Sequence, residues 1–131
     1  MNAPVVLVVE DQPLIRMSAL DLVSAAGYAG IDASNADEAI RILEIRPDIR
    51  LVFTDIEMPG SMDGLQLAHL IRARYPYVHL MVASGKVMAQ QNQLPAGSKF
   101  FPKPYDDDGI IDEMRRLISS HEASNSAENM K

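Results

Sequence analysis

The stretch Leu51–Asp55 constrains the fold more than any other part of the chain. Its residues form a short apolar run that ends in a carboxylate, and the segment from Ile56 to Gly60 then has the composition of a loop. A continuous apolar run bounded by turn residues predicts a strand that is buried on both faces, as in a parallel sheet. Because ligands bind beyond the carboxyl ends of parallel strands, Asp55 is predicted to lie at a functional edge of the sheet.

The same pattern appears near the start of the chain, where the run Val5–Val9 ends in Glu10-Asp11. Strands and helices alternate five times along the sequence, which predicts parallel strands with right-handed crossovers and helices on both faces. We therefore predict an α/β fold of the flavodoxin-like, doubly wound (βα)5 type, with a five-stranded parallel sheet in the order 2-1-3-4-5. Pro102, just after the short fifth strand, has no amide hydrogen to donate to a neighbouring strand, which agrees with an edge position for this strand.

The predicted element boundaries follow from helix caps, prolines and glycines. The predicted strands are residues 5–9, 28–34, 49–54, 79–83 and 99–101. The predicted helices begin near Pro13, Asn35, Asp63, Lys86 and Asp106. From Ser119 onward the residues are polar and small. We therefore predict one domain over residues 1–120, followed by a polar disordered tail over residues 121–131.

Composition narrows the functional classes. The chain has 131 residues, a formal net charge of −6 and no cysteine. The negative charge argues against direct nucleic-acid binding, and the lack of cysteine excludes disulfides and thiolate metal sites. The sequence shows neither a signal peptide nor an apolar run long enough to cross a bilayer. The chain is therefore predicted to be cytoplasmic and to have no membrane partner.

Five chemically functional side chains are predicted to meet at the carboxyl edge of the sheet. Glu10 and Asp11 follow the first strand, Asp55 ends the third, Ser84 follows the fourth and Lys103 lies just beyond the fifth. Three carboxylates at close range repel one another unless a cation joins them, and a hard divalent ion such as Mg²⁺ suits their oxygens. A lysine and a hydroxyl beside them suit phosphoryl oxygens. The set therefore predicts transfer of a phosphoryl group to the carboxylate of Asp55.

These residues stand in motifs that resemble those of a known family. The motifs are Val8-Val9-Glu10-Asp11, Phe53-Thr54-Asp55-Ile56-Glu57-Met58-Pro59, Asp63-Gly64, Ala83-Ser84-Gly85 and Lys103-Pro104-Tyr105. In their order, and at nearly the family's spacing, they resemble the receiver domain of response regulators in two-component, or phosphorelay, signalling systems. The resemblance covers about residues 4–119, and five motifs in register make it specific.

The resemblance implies a chemistry for this edge of the sheet. It implies that Asp55 accepts a phosphoryl group from a phosphohistidine of a sensor histidine kinase or a histidine phosphotransfer protein. It also implies that Asp11, Asp55 and the main-chain carbonyl of Glu57 bind Mg²⁺, with Glu10 acting through water. The chain would not be an enzyme with a separate substrate, because it would catalyse only its own phosphorylation and dephosphorylation.

The resemblance also implies a conformational switch. Ser84 and Lys103 would contact the phosphoryl oxygens, and the Lys103–Pro104 peptide bond would be cis. Phe100 stands where the family has its aromatic switch residue. When Ser84 turns toward the phosphate, it would vacate space that this ring fills. The change would reach the surface formed by the predicted fourth helix, the fifth strand and the predicted fifth helix.

The chain departs from the family pattern in two places. The loop after Met58 is one residue longer than the common form, and the interval between Ser84 and Lys103 is shorter than usual. We therefore expect a short or irregular fourth helix. Glu57 and Lys86 lie two residues beyond Asp55 and Ser84, and we predict that they pair across the route by which water reaches the phosphoryl group.

We predict a stand-alone phosphorylation-dependent switch, because only a short polar segment follows the last predicted helix. Its output would be contact with a downstream protein, or drainage of phosphate. Two alternatives stay open: a phosphate-independent binding module of the same shape, and a phosphohydrolase with an aspartyl nucleophile. Against the phosphohydrolase, Glu57 rather than a second aspartate stands two residues beyond Asp55.

Overall fold

The structure, a computed structural model, describes residues 4–58, 62–85 and 93–129, and for residues 120–129 it describes the backbone alone. Within these ranges the chain forms five strands and four helices. The strands are β1 (Val5–Val9), β2 (Ala29–Ala33), β3 (Ile49–Asp55), β4 (His79–Ser84) and β5 (Lys99–Pro102). The helices are α1 (Pro13–Ala26), α2 (Ala36–Ile45), α3 (Gly64–Arg74) and α4 (Asp107–Asn129).

All five strands are parallel and form one sheet in the order β2-β1-β3-β4-β5, which confirms the predicted fold. β5 is an edge strand, as Pro102 indicated. Val9 lies opposite Thr54, so the carboxyl ends of β1 and β3 are neighbours at the same edge of the sheet. On the other side of β3, Asp55 lies opposite Ala83 of β4. The three central strands therefore end together, as the predicted site requires.

The central strands bury side chains on both faces of the sheet. On one face, Leu7, Val52 and Leu80 pack with residues of α2 and α3 in one hydrophobic cluster. On the other face, Val8 and Phe53 pack with residues of α1 and α4 in a second cluster. Because successive side chains of a strand point to opposite faces, a continuous apolar run fills both clusters. This two-sided packing fixes the strand ends that carry the site.

Local sequence signals set the helix boundaries. α1 begins at Pro13 and ends before Gly27, whose φ of 97° is the left-handed conformation that glycine adopts without strain. The side chain of Asn35 accepts a hydrogen bond from a backbone amide in the first turn of α2. Asp63 and Gln66 form a reciprocal capping box at the start of α3. The predicted starts of these three helices are confirmed.

The last helix differs from its prediction. We predicted a disordered tail over residues 121–131, but the backbone of α4 is helical as far as Asn129. Residues 119–129 contain no proline or glycine to stop a helix, and their alanines and glutamates favour one. The last helix is thus longer than predicted, and disorder of the tail stays a prediction. Residues 130–131 lie outside the described ranges, and a domain boundary at residue 120 stays a prediction.

The predicted fourth helix would begin at Lys86, and nearly all of it lies outside the described ranges. The helix labelled α4 is therefore the one predicted as the fifth. Residues 93–98 form short turns that lead into β5. Among the described helices, none is long and apolar enough to cross a membrane.

Candidate functional site

Asp55 is the last residue of β3 and is almost fully buried, with 6% of its surface exposed. Its two carboxylate oxygens have different partners. Oδ1 accepts a hydrogen bond from the backbone amide of Glu57 at 3.1 Å, and Oδ2 accepts one from Lys103 Nζ at 2.6 Å. The carboxylate is thus oriented by the loop after β3 on one side and by the chain after β5 on the other.

A glycine at the start of α3 lets that helix approach Asp55. A Cβ atom on Gly64 would lie 1.9 Å from the main-chain oxygen of Asp55, so no side chain fits without a shift of the backbone. The Gly64 amide also donates a hydrogen bond to the carbonyl of Ile56 at 2.9 Å. The first residue of α3 therefore holds the end of β3 in place by direct backbone contact.

Glu10, Asp11 and Asp55 form an acidic cluster, in which one carboxylate oxygen from each residue lies within 4.8 Å of the others. Glu10 is 3% exposed, and neither of its carboxylate oxygens has a hydrogen-bond partner among the described residues. Lys103 Nζ lies 3.8 Å from Glu10 Oε1, at the outer limit of an ion pair. Burial, followed by the neighbouring Asp55 carboxylate, raises the pKa of Glu10 to about 8.

The acidic cluster fits Mg²⁺. Its donors are carboxylate oxygens, which hard divalent ions prefer, and the buried oxygens of Glu10 would gain a partner when a cation binds beside them. Among the described residues, Asp11, Asp55 and Glu10 are the carboxylates that could hold the ion. The main-chain carbonyl of Glu57 as a further ligand, and a water between Glu10 and the ion, stay predictions.

Lys103 lies between the acidic cluster and β4. Its amide donates a hydrogen bond to the carbonyl of Ser84 at 2.8 Å, and the Lys103–Pro104 peptide bond is cis, as predicted. Burial lowers the pKa of the lysine, but its hydrogen bond to Asp55 and the negative charges around it outweigh burial, so the pKa is raised overall. The ammonium group therefore keeps its charge at neutral pH.

Ser84 ends β4 and is fully buried. Its hydroxyl donates a hydrogen bond to Glu57 Oε2 at 2.7 Å, and the amide of Gly85 donates one to Glu57 Oε1 at 2.9 Å. This contact was not predicted from the sequence, and the predicted partner of Glu57, Lys86, lies outside the described residues. A signal was present, because Glu57 lies just beyond β3 and Ser84 ends the neighbouring β4 at the same edge of the sheet.

Phe100 lies on the same face of the sheet as Ser84. It is opposite Val82 in the strand register, and side chains two residues apart on one strand share a face. Its neighbour Phe101 packs instead into the cluster with α1 and α4. This position agrees with a switch formed by Ser84 and Phe100, and the switching role itself stays a prediction.

Arg16 of α1 is a positioning residue that the sequence analysis missed. Its Nη1 donates a hydrogen bond to the main-chain oxygen of Glu10 at 2.9 Å, and its Nε donates one to Asp32 Oδ2 at 3.0 Å. Arg16 thereby joins the turn after β1 to the end of β2, and it fixes the backbone that carries Glu10 and Asp11. In the sequence alone, this arginine is indistinguishable from an exposed charge on a helix.

An open groove lies beside the site, between α1 and the chain after β5. It is lined by Leu14, Ile15, Ser18, Lys103, Pro104 and Tyr105. Leu14 is 78% exposed and Met17, one turn further along α1, is 60% exposed. Exposed apolar side chains grouped in this way are typical of interaction surfaces. An apolar helix face therefore adjoins the pair formed by Asp55 and Lys103.

Comparison with known proteins agrees with this geometry. A family model for the response regulator receiver domain matches residues 6–115. The response regulator protein FleR of Pseudomonas aeruginosa is 35% identical over 114 residues, which are 85% of this chain and 24% of FleR. The chain thus spans about a quarter of the length of this relative.

Solved structures of receiver proteins share the fold. The response regulator receiver protein of Sinorhizobium medicae superposes with a TM-score of 0.84 at 22% identity, over 92% of this chain and 98% of the other. The response regulator protein TrrA of Thermotoga maritima, solved in complex with Mg²⁺-BeF, superposes with a TM-score of 0.75 at 24% identity, over 87% of this chain and 98% of the other. With the family model matched over most of its length, the chain belongs to the response regulator receiver domain family.

Proposed function

We propose that the chain is a phosphorylation-dependent signalling switch in which Asp55 accepts a phosphoryl group from a phosphohistidine. The observation that carries the proposal is the contact between Asp55 Oδ2 and Lys103 Nζ, 2.6 Å apart beside a buried acidic cluster. The lysine would neutralise phosphoryl oxygens, and the cluster would hold Mg²⁺. The complex of TrrA with Mg²⁺-BeF, in which beryllium fluoride stands in for a phosphoryl group, supports the proposal by analogy of fold.

The proposed transfer is a displacement at phosphorus. A carboxylate oxygen of Asp55 forms the new P–O bond while the P–N bond to the donor's imidazole breaks, and the imidazole nitrogen takes up a proton. The ammonium group of Lys103, which contacts Asp55, would neutralise negative charge on the phosphoryl oxygens. The Ser84 hydroxyl would donate a hydrogen bond to one of these oxygens. Mg²⁺, when bound, would neutralise further charge on the phosphoryl group.

We propose the groove beside the site as the docking place of the phosphodonor. Leu14 and Lys103 line this groove, and Met17 is exposed one turn further along α1. An apolar surface next to Asp55 suits a helix that carries a phosphohistidine, because the helix buries apolar area while its histidine reaches the carboxylate. A sensor histidine kinase or a histidine phosphotransfer protein is the proposed donor, which would place the chain in the cytoplasm.

The proposed output is a change of surface packing. Phosphorylation would replace the carboxylate of Asp55, with its charge of −1, by an acyl phosphate with a charge of about −2, and Ser84 would turn toward it. Phe100, on the same face of the sheet, would then fill the vacated space and alter the surface around β5, α4 and the predicted fourth helix. This surface would control a downstream protein, or the chain would drain phosphate from its donor. No other enzymatic activity is proposed.

Intact mass after incubation with Mg²⁺ and acetyl phosphate tests the proposal. Native protein is expected to gain one phosphoryl group, whereas Asp55→Asn and a chelated sample gain none. Asp21→Asn is the matched control, because Asp21 is exposed on α1 and the change removes the same charge. An adduct of equal size on native protein and Asp55→Asn would contradict the proposal. The proposal would also be contradicted if native protein gained no phosphoryl group and also bound no beryllofluoride.

A further inference from the structure

We propose that the Glu57 side chain is an internal anion that occupies two hydrogen-bond donors, one of which a phosphoryl group at Asp55 would use, and that it thereby weakens the site's affinity for that group. The inference rests on the proposed function. The donors are the Ser84 hydroxyl, 2.7 Å from Glu57 Oε2, and the Gly85 amide, 2.9 Å from Glu57 Oε1. The two carboxylate oxygens thus have one donor each from the end of β4.

The backbone of Glu57 is tied to the proposed acceptor itself. Its amide donates a hydrogen bond to Asp55 Oδ1 at 3.1 Å, while its side chain reaches across to β4. The same carboxylate lies over Gly85, where a Cβ atom would be 3.8 Å from Glu57 Oε1. One residue therefore joins the acceptor carboxylate to the donors at the end of the neighbouring strand.

A carboxylate in this position imitates part of a phosphoryl group. Both are anions whose oxygens accept hydrogen bonds from hydroxyl and amide groups, and such charge-assisted bonds are among the stronger ones in proteins. The negative charge of Glu57 also contributes to the raised pKa of Lys103, so it acts within the electrostatic range of the site. In the unphosphorylated chain, Glu57 thus accepts the hydrogen bond of the Ser84 hydroxyl, which the phosphorylated chain would use.

The two anions compete because a serine hydroxyl has one proton to donate. Ser84 can donate it to Glu57 or to a phosphoryl oxygen, and the change of partner releases Glu57. The added negative charge on Asp55 would also repel the Glu57 carboxylate. Phosphorylation and release of Glu57 are therefore coupled, and the free energy needed to break the hydrogen bonds of Glu57 opposes the phosphorylated state.

Titration with beryllofluoride in the presence of Mg²⁺, followed by amide chemical shifts, tests this coupling. We expect Glu57→Gln to bind the probe about tenfold more tightly than native protein, because a charge-assisted contact no longer competes. Glu57→Asp keeps the charge but is one methylene shorter, so it cannot reach both donors and should also bind more tightly. Glu44→Gln is the control for charge, because Glu44 is exposed on α2, and it should bind as native protein does.

The amide of Gly85 gives a readout that a purely structural role for Glu57 would not move. Without probe, its proton should resonate downfield in native protein and shift upfield in both Glu57 variants, since the hydrogen bond to the carboxylate is weakened or broken. Equal affinity of native protein and Glu57→Gln would overturn the inference. The inference would also be overturned if Glu57→Asp bound the probe with native affinity while Glu57→Gln bound it more tightly, because the effect would then come from charge alone. Absence of binding in every variant would instead overturn the proposed function, and this inference with it.

Discussion

Glu10 has a buried carboxyl group whose oxygens have no hydrogen-bond partner among the described residues, and its pKa is raised from 4.5 to about 8. Between these two pH values the folded protein holds more protons on Glu10 than the unfolded chain does. The free energy of unfolding of the metal-free protein should therefore fall as the pH rises from about 4.5 to about 8. Mg²⁺ should offset this loss at the upper end, because a bound cation stabilises the ionised carboxylate.

Urea denaturation of metal-free protein, followed by circular dichroism at several pH values, measures this effect. Other carboxylates also titrate, so the informative quantity is the difference between native protein and Glu10→Gln. We expect Glu10→Gln to become the more stable of the two as the pH approaches 8. If the difference in the free energy of unfolding does not change with pH, or grows toward acidic pH, then the pKa of Glu10 is not raised in the folded protein.

The junction between β3 and α3 depends on Gly64. A methyl group there would lie 1.9 Å from the main-chain oxygen of Asp55, so either the helix or the strand end must move. We expect Gly64→Ala to lower the free energy of unfolding by about 1–3 kcal/mol, the usual range for overpacking. It should also shift the amide resonance of Asp55. Gly109→Ala in α4 is the control, because its added methyl group would meet its nearest neighbour at an ordinary 3.5 Å. Equal stability of the two variants would contradict this reading of the junction.

The turn between β1 and α1 depends on Arg16, which donates a hydrogen bond to the Glu10 carbonyl and another to Asp32. Removal of a residue that orients metal ligands without contacting the metal commonly lowers the affinity for the metal. We expect Arg16→Ala to weaken Mg²⁺ binding about tenfold, measured by calorimetric titration. Arg116→Ala, which removes an exposed arginine from α4, should leave the affinity unchanged. Native affinity in Arg16→Ala would show that the turn holds its shape without the arginine.

The fold of the whole molecule could be predicted from sequence because two-sided burial leaves a clear pattern. The run Val5–Val9 has no polar side chain, and Leu51–Asp55 has none before its last two residues, so neither run has a solvent-facing surface along its length. Alternation with helices then leaves few arrangements of the sheet. The same topology brought Glu10, Asp55 and Lys103 to one edge, so their proximity could also be predicted.

What could not be predicted depends on the reach of individual side chains. Glu57 and Ser84 are far apart in sequence, and only the three-dimensional course of the loop after β3 decides that they touch. Arg16 faces the turn after β1 rather than solvent, which helical spacing does not indicate. The length of α4 was not predicted for a different reason. The tail was judged by its polar composition, which indicates little apolar surface, and not by whether it contains residues that stop a helix.

The central claim for the molecule is that Asp55, and no other carboxylate at this edge, accepts the phosphoryl group. The most direct measurement is to phosphorylate native protein with Mg²⁺ and acetyl phosphate, reduce it with borohydride and sequence its peptides by mass spectrometry. Borohydride converts an aspartyl phosphate to homoserine. We predict homoserine at position 55, none at Asp11 or Asp63, and none anywhere when Mg²⁺ is chelated. Homoserine at another position, with Asp55 intact, would contradict the account.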